Sequence, residues 1–166
     1  MTQANRLSEI ELRTVWRQDD AAIKADVKAL WRRLSILPGG VDAETRADEI
    51  VCAAYCDGVL AGVSTAFIRE LEFLRQRFAM LRGVVAPEFR RQHLGGRLLV
   101  QSRDVLERWS REQPGERVMG VAAVVQSPNL LSKPRKAVSP LGGFVLVGYT
   151  QQGEQIRVAW FDHAYV

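Results

Sequence analysis

The sequence is short of the residues that build disulfide-bonded and metal-binding proteins, with two cysteines and two histidines among 166 residues. Cys52 and Cys56 lie four residues apart in a predicted strand, which places both side chains on one face but roughly 13 Å apart, beyond disulfide reach. We therefore expect reduced, buried and inert thiols. His93 and His163 do not offer the spacing of further zinc ligands, so no metal site is predicted.

Long apolar runs are also missing. The longest weakly polar run, Val59–Ile68, is too short to span a bilayer, and the first residues, MTQANRLSEIELR, lack the apolar core of a signal peptide. We expect a cytoplasmic protein with no membrane partner. A length of 166 residues fits one compact domain that covers residues 1–166.

Lysine is scarce: nineteen of the 23 cationic residues are arginines. The net charge is +4. A basic balance can indicate a nucleic-acid partner, but acidic residues alternate with the arginines along most of the sequence and no aromatic residues cluster with them. No nucleic-acid partner is predicted. One local exception is the group of Arg90, Arg91 and Arg97, which only Glu88 opposes.

The periodicity predicts the order β-α-βββ-α-β-(α)-ββ, an α/β (α+β) protein with helices packed on a mixed sheet. One helix begins after Asp20 and ends before Pro38, and a second begins at Gly95-Gly96 and ends before Pro114. The stretch from Pro128 to Val138 is a short, weak helix. The predicted strands are Ser8–Trp16, Glu49–Cys56, Val59–Ile68, Arg75–Ala86, Arg117–Val125, Phe144–Thr150 and Gln155–Ala164, and the segment Val41–Asp48 is a loop with room for one helical turn.

The junction between the fourth predicted strand and the second helix reads VVAPEFRRQHLGGRLL. The first turn of a helix has amide groups without intrahelical partners and a partial positive charge, which suits a phosphate. Gly95 and Gly96 remove the Cβ atoms that would keep a ligand from the backbone, although tight packing also explains a glycine pair. The patterns of the P-loop and of the dinucleotide-binding turn do not occur here.

The same stretch resembles the cofactor-binding motif of the GNAT superfamily of acyl-CoA-dependent N-acetyltransferases, Arg/Gln-x-x-Gly-x-Gly/Ala. Arg90 and Gly95 match it, and His93 stands where the first glycine is usual. The lead-in, residues 85–90, resembles the family's Val-x-Pro-Glu-Tyr/Phe-Arg, and Gly143-Phe144 resembles the Gly-Phe that opens its sixth strand. The order of elements is also similar to that of the family along nearly the whole chain.

The resemblance implies a GNAT-like mixed, mostly antiparallel sheet of about seven strands, with strands 4 and 5 splayed apart and helices on its faces. It implies acetyl-CoA as cosubstrate, direct attack on the thioester by a primary amine of a small molecule or peptide, and a homodimer through the terminal strands. The implied cofactor-binding residues are Val84 and Val85, through their backbone, and Arg90, Arg91, Gln92, His93, Leu94, Gly95, Gly96, Arg97 and Asn129.

The catalytic side chains do not follow from the resemblance. Ser139 stands where many members of the family have a general-acid tyrosine, and the stretch 78–86 contains no carboxylate to act as base. The remaining candidates are Glu70, Glu72 and Tyr149, so the catalytic residues stay unknown, and we expect binding and positioning to supply most of the rate. A GNAT-fold module that binds acyl-CoA or a partner protein without turnover is the open alternative.

Overall fold

The computed structural model describes residues 9–126 and 135–166, and only the backbone of residues 91 and 92. Within those ranges, seven strands form one sheet in the order β1-β2-β3-β4-β5-β7-β6. The strands are β1 (Ile10–Thr14), β2 (Ile50–Cys56), β3 (Val59–Leu71), β4 (Gln76–Val85), β5 (Val118–Val125), β6 (Val145–Tyr149) and β7 (Gln155–Trp160). The predicted fold class is confirmed.

All neighbouring strands are antiparallel except β4 and β5, which are parallel. The predicted tight hairpin between β2 and β3 is present, with φ of 49° at Asp57 and 80° at Gly58. Positive φ at both central residues is the geometry whose twist matches that of the flanking strands. β2 to β4 therefore form a meander, and the parallel pair requires the long connection between β4 and β5.

Three α-helices are assigned in the described residues: α1 (Ala21–Leu34), α2 (Ala43–Ala47) and α3 (Leu94–Glu112). Asp20 begins α1 by accepting a hydrogen bond from the Ile23 amide at 2.9 Å. Short 3₁₀ helices at Pro87–Gln92 and Pro114–Glu116 flank α3. The α2 helix occupies the segment predicted as a loop, because Asp42 caps its first turn.

The helices cover opposite faces of the sheet. On the α1 face, Val27 and Trp31 pack against Ile50 and Val63. On the α3 face, Leu94 and Leu98 pack against the strand residues Cys52, Ala54, Cys56 and Ala61. Every residue of β2 is buried, since this strand is covered on both sides.

Both cysteines are buried, as predicted, and share the α3 face. Burial raises the pKa of the Cys52 thiol to about 12. Within residues 9–126 and 135–166 there is no cluster of three or more histidine, cysteine, aspartate or glutamate side chains suited to a metal ion. The helices of the same ranges include none that is long and apolar enough to cross a membrane.

Several predicted boundaries were wrong. The first strand ends at Thr14 and not at Trp16, because the Trp16 ring turns into the core and meets the Trp109 ring edge-on at 5.4 Å. The third runs to Leu71, since its pairing with β4 extends through the hairpin. Most of the predicted weak helix lies outside the described residues, and Val138 at its end forms a bridge with Val145.

Candidate functional site

A wedge-shaped gap separates the second halves of β4 and β5. The parallel pairing begins at Arg77 and Val118 and ends at Met80 and Ala122. Beyond that point β4 stays paired to β3 as far as Val85, while β5 stays paired to β7. In the described part of the sheet, residues 81–85 therefore have no strand partner on the β5 side. The predicted splay of strands 4 and 5 is confirmed.

The register decides which backbone groups of β4 are directed into this gap. The Ala86 N–H donates to the Ala61 carbonyl at 2.8 Å, and residues of an antiparallel pair alternate between bonded and non-bonded positions. The backbone of Val84 is therefore directed toward β3, whereas that of Gly83 and Val85 is directed into the gap. The resemblance implies free groups at both Val84 and Val85. The register corrects this to Val85 and adds Gly83.

The gap ends at the beginning of α3. His93 precedes the helix with φ 55° and ψ 23°, a left-handed conformation that glycine adopts at little cost. This backbone explains why the similar motif has a glycine at the position of His93. Among the described residues no side chain caps the helix, and its first turn contains no acidic residue. Its first amide groups are thus left without a partner from a capping side chain.

The two glycines of the first turn have different surroundings. A Cβ placed on Gly96 would lie 2.8 Å from Leu141 Cδ2, so this glycine allows close packing of the turn before β6. Of the residues that the structure describes, a Cβ placed on Gly95 would meet only Val85 Cγ2, at 3.9 Å, and Gly95 is exposed. The packing interpretation therefore applies to Gly96, and the open surface that a ligand requires lies at Gly95.

The charges at this junction are unevenly partnered. Glu88 pairs with Arg33 of α1 at 2.8 Å, and a hydrogen bond from its own amide, together with Arg33, lowers the pKa of its carboxyl group. Arg90 donates from Nε to the Val85 carbonyl at 3.3 Å. Arg90 and Arg97 are exposed, and neither has a carboxylate partner in the described ranges. Because Glu88 pairs with Arg33, it does not neutralise the positive charges of Arg90 and Arg97 at the start of α3.

The other implied cofactor residues stand as follows. Leu94 is completely buried, so only its backbone is available to a ligand. The side chains of Arg91 and Gln92 and the whole of Asn129 lie outside the described residues.

Glu70 and Glu72 lie at the closed side of the gap. Glu70 pairs with Arg77 of β4. Arg77 lies three residues, about 10 Å along the strand, before Met80, where the pairing with β5 ends. Both glutamates are exposed. Tyr149 is 60% exposed on β6, at the edge of the sheet, with β7 between it and β5. The structure does not bring these three side chains to the opening.

Ser139 has a local structural role. Its hydroxyl donates to the Leu141 carbonyl at 3.0 Å and accepts from the Leu141 amide at 3.3 Å, and its N–H donates to the Phe144 carbonyl at 2.7 Å. These bonds fix the turn that places Leu141 on Gly96. The hydroxyl therefore already has partners within its own turn.

One charged pair beside the gap did not emerge from the sequence. Arg82, two residues beyond Met80, pairs with Glu49 on the α1 face and donates to Thr65 Oγ1 at 3.3 Å. Its guanidinium lies 4.5 Å from the centre of the Phe67 ring. The only signal in the sequence was a charged residue inside an otherwise apolar strand end, because Glu49 lies 33 residues away.

Similarity to known proteins is detected at the level of structure. No protein-family model and no curated protein sequence matches the chain. The chain is similar to an acetyltransferase of the GNAT family from Streptococcus pneumoniae, with a TM-score of 0.59 and 17% identity, over 92% of this chain and 100% of the other.

Two further structures are similar over nearly their whole length. A putative acetyltransferase from Salmonella typhimurium, solved with its cofactor acetyl-CoA, gives a TM-score of 0.59 and 16% identity, over 95% of this chain and 96% of the other. The ribosomal-protein-alanine N-acetyltransferase from Brucella melitensis gives a TM-score of 0.54 and 18% identity, over 89% and 96%.

Proposed function

The chain has the GNAT fold, and from this premise we propose that it transfers an acetyl group from acetyl-CoA to a primary amine of a small molecule or peptide. One observation carries the proposal: the gap that opens beyond Met80 and Ala122 leads to the uncapped first turn of α3. Acetyl-CoA as cosubstrate is supported by the Salmonella structure, which has the same fold and contains acetyl-CoA.

The beginning of α3 fits the diphosphate of such a cosubstrate. Gly95 leaves the backbone accessible, the helix start favours an anion, and Arg90 and Arg97 add positive charge. Leu94 contributes through its amide alone, because its side chain is in the core. Roles for Arg91, Gln92, His93 and Asn129 stay predictions of the resemblance.

The open edge of β4 fits the pantetheine arm. Gly83 and Val85 have backbone groups directed into the gap, where an extended ligand can pair with them as another strand would. Arg90 now donates to the Val85 carbonyl. We expect this side chain to release the carbonyl and turn toward the phosphates when the cosubstrate binds.

Acetyl-CoA supplies a thioester, whose carbonyl carbon accepts a neutral amine. The chain supplies N–H donors along the wall of the gap, at Gly83 and Val85, which can stabilise negative charge on an oxygen placed before them. Ser139, Tyr149, Glu70 and Glu72 do not line the opening, so proton transfer is left to water or to the acceptor site. Binding and positioning then provide most of the rate.

The test has two parts. Calorimetry and thermal unfolding with acetyl-CoA measure binding, which should raise the melting temperature by mass action. Thiol release in the presence of an amine panel measures turnover, and mass spectrometry of the amines identifies the acetylated product. We expect binding and amine-dependent thiol release. Absence of both binding and a thermal shift would overturn the proposal.

A second candidate is a GNAT-fold module that binds acyl-CoA without turnover. It is favoured by the position of the four candidate side chains, none of which borders the gap. Acetyl-CoA binding without thiol release across the panel identifies this alternative. The homodimer implied by the resemblance also stays a prediction, for which sedimentation analysis is the direct measurement.

A further inference from the structure

The α1 face of the gap has one charged side chain on its β4 wall. Of residues 81–85, which extend beyond the pairing with β5, only Arg82 carries a charge. Its position is two residues, about 7 Å, past the end of the pairing at Met80. Arg82 therefore lies where the two strands begin to separate, on the face opposite α3.

Arg82 belongs to a group with more positive than negative charge. Glu49 forms an ion pair with Arg82 and lies 3.5 Å from Nε of Arg46, so one carboxylate serves two guanidinium groups. The three side chains are partly covered, with exposed fractions of 34% for Arg82, 17% for Arg46 and 27% for Glu49. One net positive charge is thus held on the α1 face beside β4 and can accept a second carboxylate.

The guanidinium of Arg82 is fixed in orientation and retains free donor capacity. Thr65 and Glu49 accept hydrogen bonds from its Nε and Nη2, and the Phe67 ring lies beneath it. In the ranges that the structure describes, its Nη1 makes no hydrogen bond. An arginine with two engaged nitrogens and a third available can bind a carboxylate without a change of conformation.

The surroundings strengthen such an interaction. Met80 is 8% exposed, and it belongs to an apolar cluster on the same face that also includes Phe67 and Val124. Burial lowers the pKa of the Arg82 guanidinium, an effect that Glu49 opposes. A charge that water solvates poorly gains more from a nearby anion than a fully exposed one.

We propose that Arg82 binds a carboxylate of the acceptor, and that the acceptor is a primary amine with a carboxylate close to its amino group, as in a free amino acid. This inference rests on the proposed function, because the gap fixes where the amine must be delivered. Glu49 is a positioning residue that orients Arg82. The neighbouring apolar residues Phe67 and Met80 favour an amino acid with an apolar side chain.

The experiment compares acceptors that differ only in the carboxylate: leucine with 3-methylbutylamine, and phenylalanine with 2-phenylethylamine. Thiol release at saturating acetyl-CoA gives kcat/KM for each acceptor. We expect the wild type to prefer the amino acid by about tenfold or more, the value of one charge-assisted hydrogen bond. Arg82→Gln should lower kcat/KM for the amino acid to the level of the amine, mainly by raising KM. It should change kcat/KM for the amine by less than about threefold.

Three further variants test the assignment. Arg69→Gln is the matched control, because Arg69 is exposed on the same sheet face but lies opposite Phe78, where β4 and β5 are paired. It should leave the preference unchanged. Arg82→Lys should retain part of the preference, since it keeps the charge and loses the fork of donors. Glu49→Gln should raise KM for the amino acid alone, which a purely structural role would not do.

Calorimetry with acetyl-CoA on every variant separates this inference from the proposed function. If acetyl-CoA binds normally but the wild type uses the amino acid and the amine equally well, the carboxylate assignment alone is overturned. The same holds if Arg82→Gln lowers kcat/KM equally for both acceptors. Normal affinity without turnover of any acceptor also overturns it and favours the binding module. Failure of the wild type to bind acetyl-CoA overturns the proposed function, and this inference with it.

Discussion

Gly96 of α3 and Leu141 of the turn before β6 are in such close contact that a Cβ on Gly96 would lie 2.8 Å from Leu141 Cδ2. The turn is held by the hydrogen bonds of Ser139 and stabilises the beginning of the helix by packing against it. This contact couples the candidate phosphate site to the segment that precedes β6.

A double-mutant cycle should detect this coupling. Gly96→Ala improves helix propensity by up to about 1 kcal/mol, but in the wild type the gain is offset by displacement of Leu141. In the Leu141→Ala background the new methyl group has room, so the full gain should appear in the free energy of unfolding measured with urea. Additive effects of the two substitutions would show that the contact does not constrain the helix.

Gly95→Glu should abolish acetyl-CoA binding and leave the fold intact. The carboxylate would occupy the surface proposed for the diphosphate, while an acidic residue in the first turn of a helix is favourable by about 0.3–1 kcal/mol. Calorimetry measures the affinity, and urea unfolding measures the stability. Gly95→Ala is the control, since its methyl group lies 3.9 Å from Val85 Cγ2, an ordinary contact distance, and the resembling motif admits alanine there. Equal affinity in wild type and Gly95→Glu would contradict the assignment.

His93→Val should be less stable than His93→Gly by about 1–2 kcal/mol, the cost of a left-handed backbone for residues other than glycine. The residue has φ 55°, which a β-branched side chain adopts poorly. His93→Asn should unfold close to the wild type, because asparagine tolerates this conformation. Equal urea midpoints for the valine and glycine variants would show that the junction is not left-handed in solution.

The elements that the sequence predicted correctly have local causes. The hairpin at Asp57-Gly58 follows from two residues that accept positive φ, and α1 follows from the Asp20 cap and its apolar stripe. The mixed, mostly antiparallel sheet and the splay of strands 4 and 5 came from the resemblance, since nothing local to either strand specifies its neighbour.

The features that the sequence did not reveal are non-local. Whether Val84 or Val85 is directed into the gap depends on the register with β3, and a shift of one residue would exchange them. The Arg82–Glu49 pair joins β4 to the turn before β2, across the intervening strand β3, and the sequence had assigned Glu49 only to a predicted strand. The different roles of Gly95 and Gly96 depend on Leu141, 45 or more residues away in the sequence.

Stability should fall above pH 9 through Cys52. Burial raises the pKa of this thiol from 9.0 to about 12, so the unfolded chain loses the thiol proton at a lower pH than the folded one. The contribution is constant below pH 9 and is lost between pH 9 and 12, at about 1.4 kcal/mol per pH unit. Urea unfolding at pH 8 and pH 10 should show a steeper loss for the wild type than for Cys52→Ala. Parallel losses would indicate that the thiol is solvated in the folded state.

Substitution of the four candidate catalytic side chains should have little effect on amine-dependent thiol release. Glu70→Gln, Glu72→Gln, Tyr149→Phe and Ser139→Ala should each retain activity within about tenfold of the wild type, since general acid–base catalysis by a positioned group contributes about 10²–10⁴-fold. The glutamates lie beyond the closed end of the gap, Tyr149 is on the edge strand, and the Ser139 hydroxyl is engaged with Leu141.

Each variant is compared at saturating acetyl-CoA and amine, so that kcat alone is read. Ser139→Ala also loosens the turn on Gly96, so its acetyl-CoA affinity is measured in parallel by calorimetry. A fall in kcat by several orders of magnitude for any one variant, with unchanged affinity, would place that side chain in the chemistry and show that the gap closes around it during turnover.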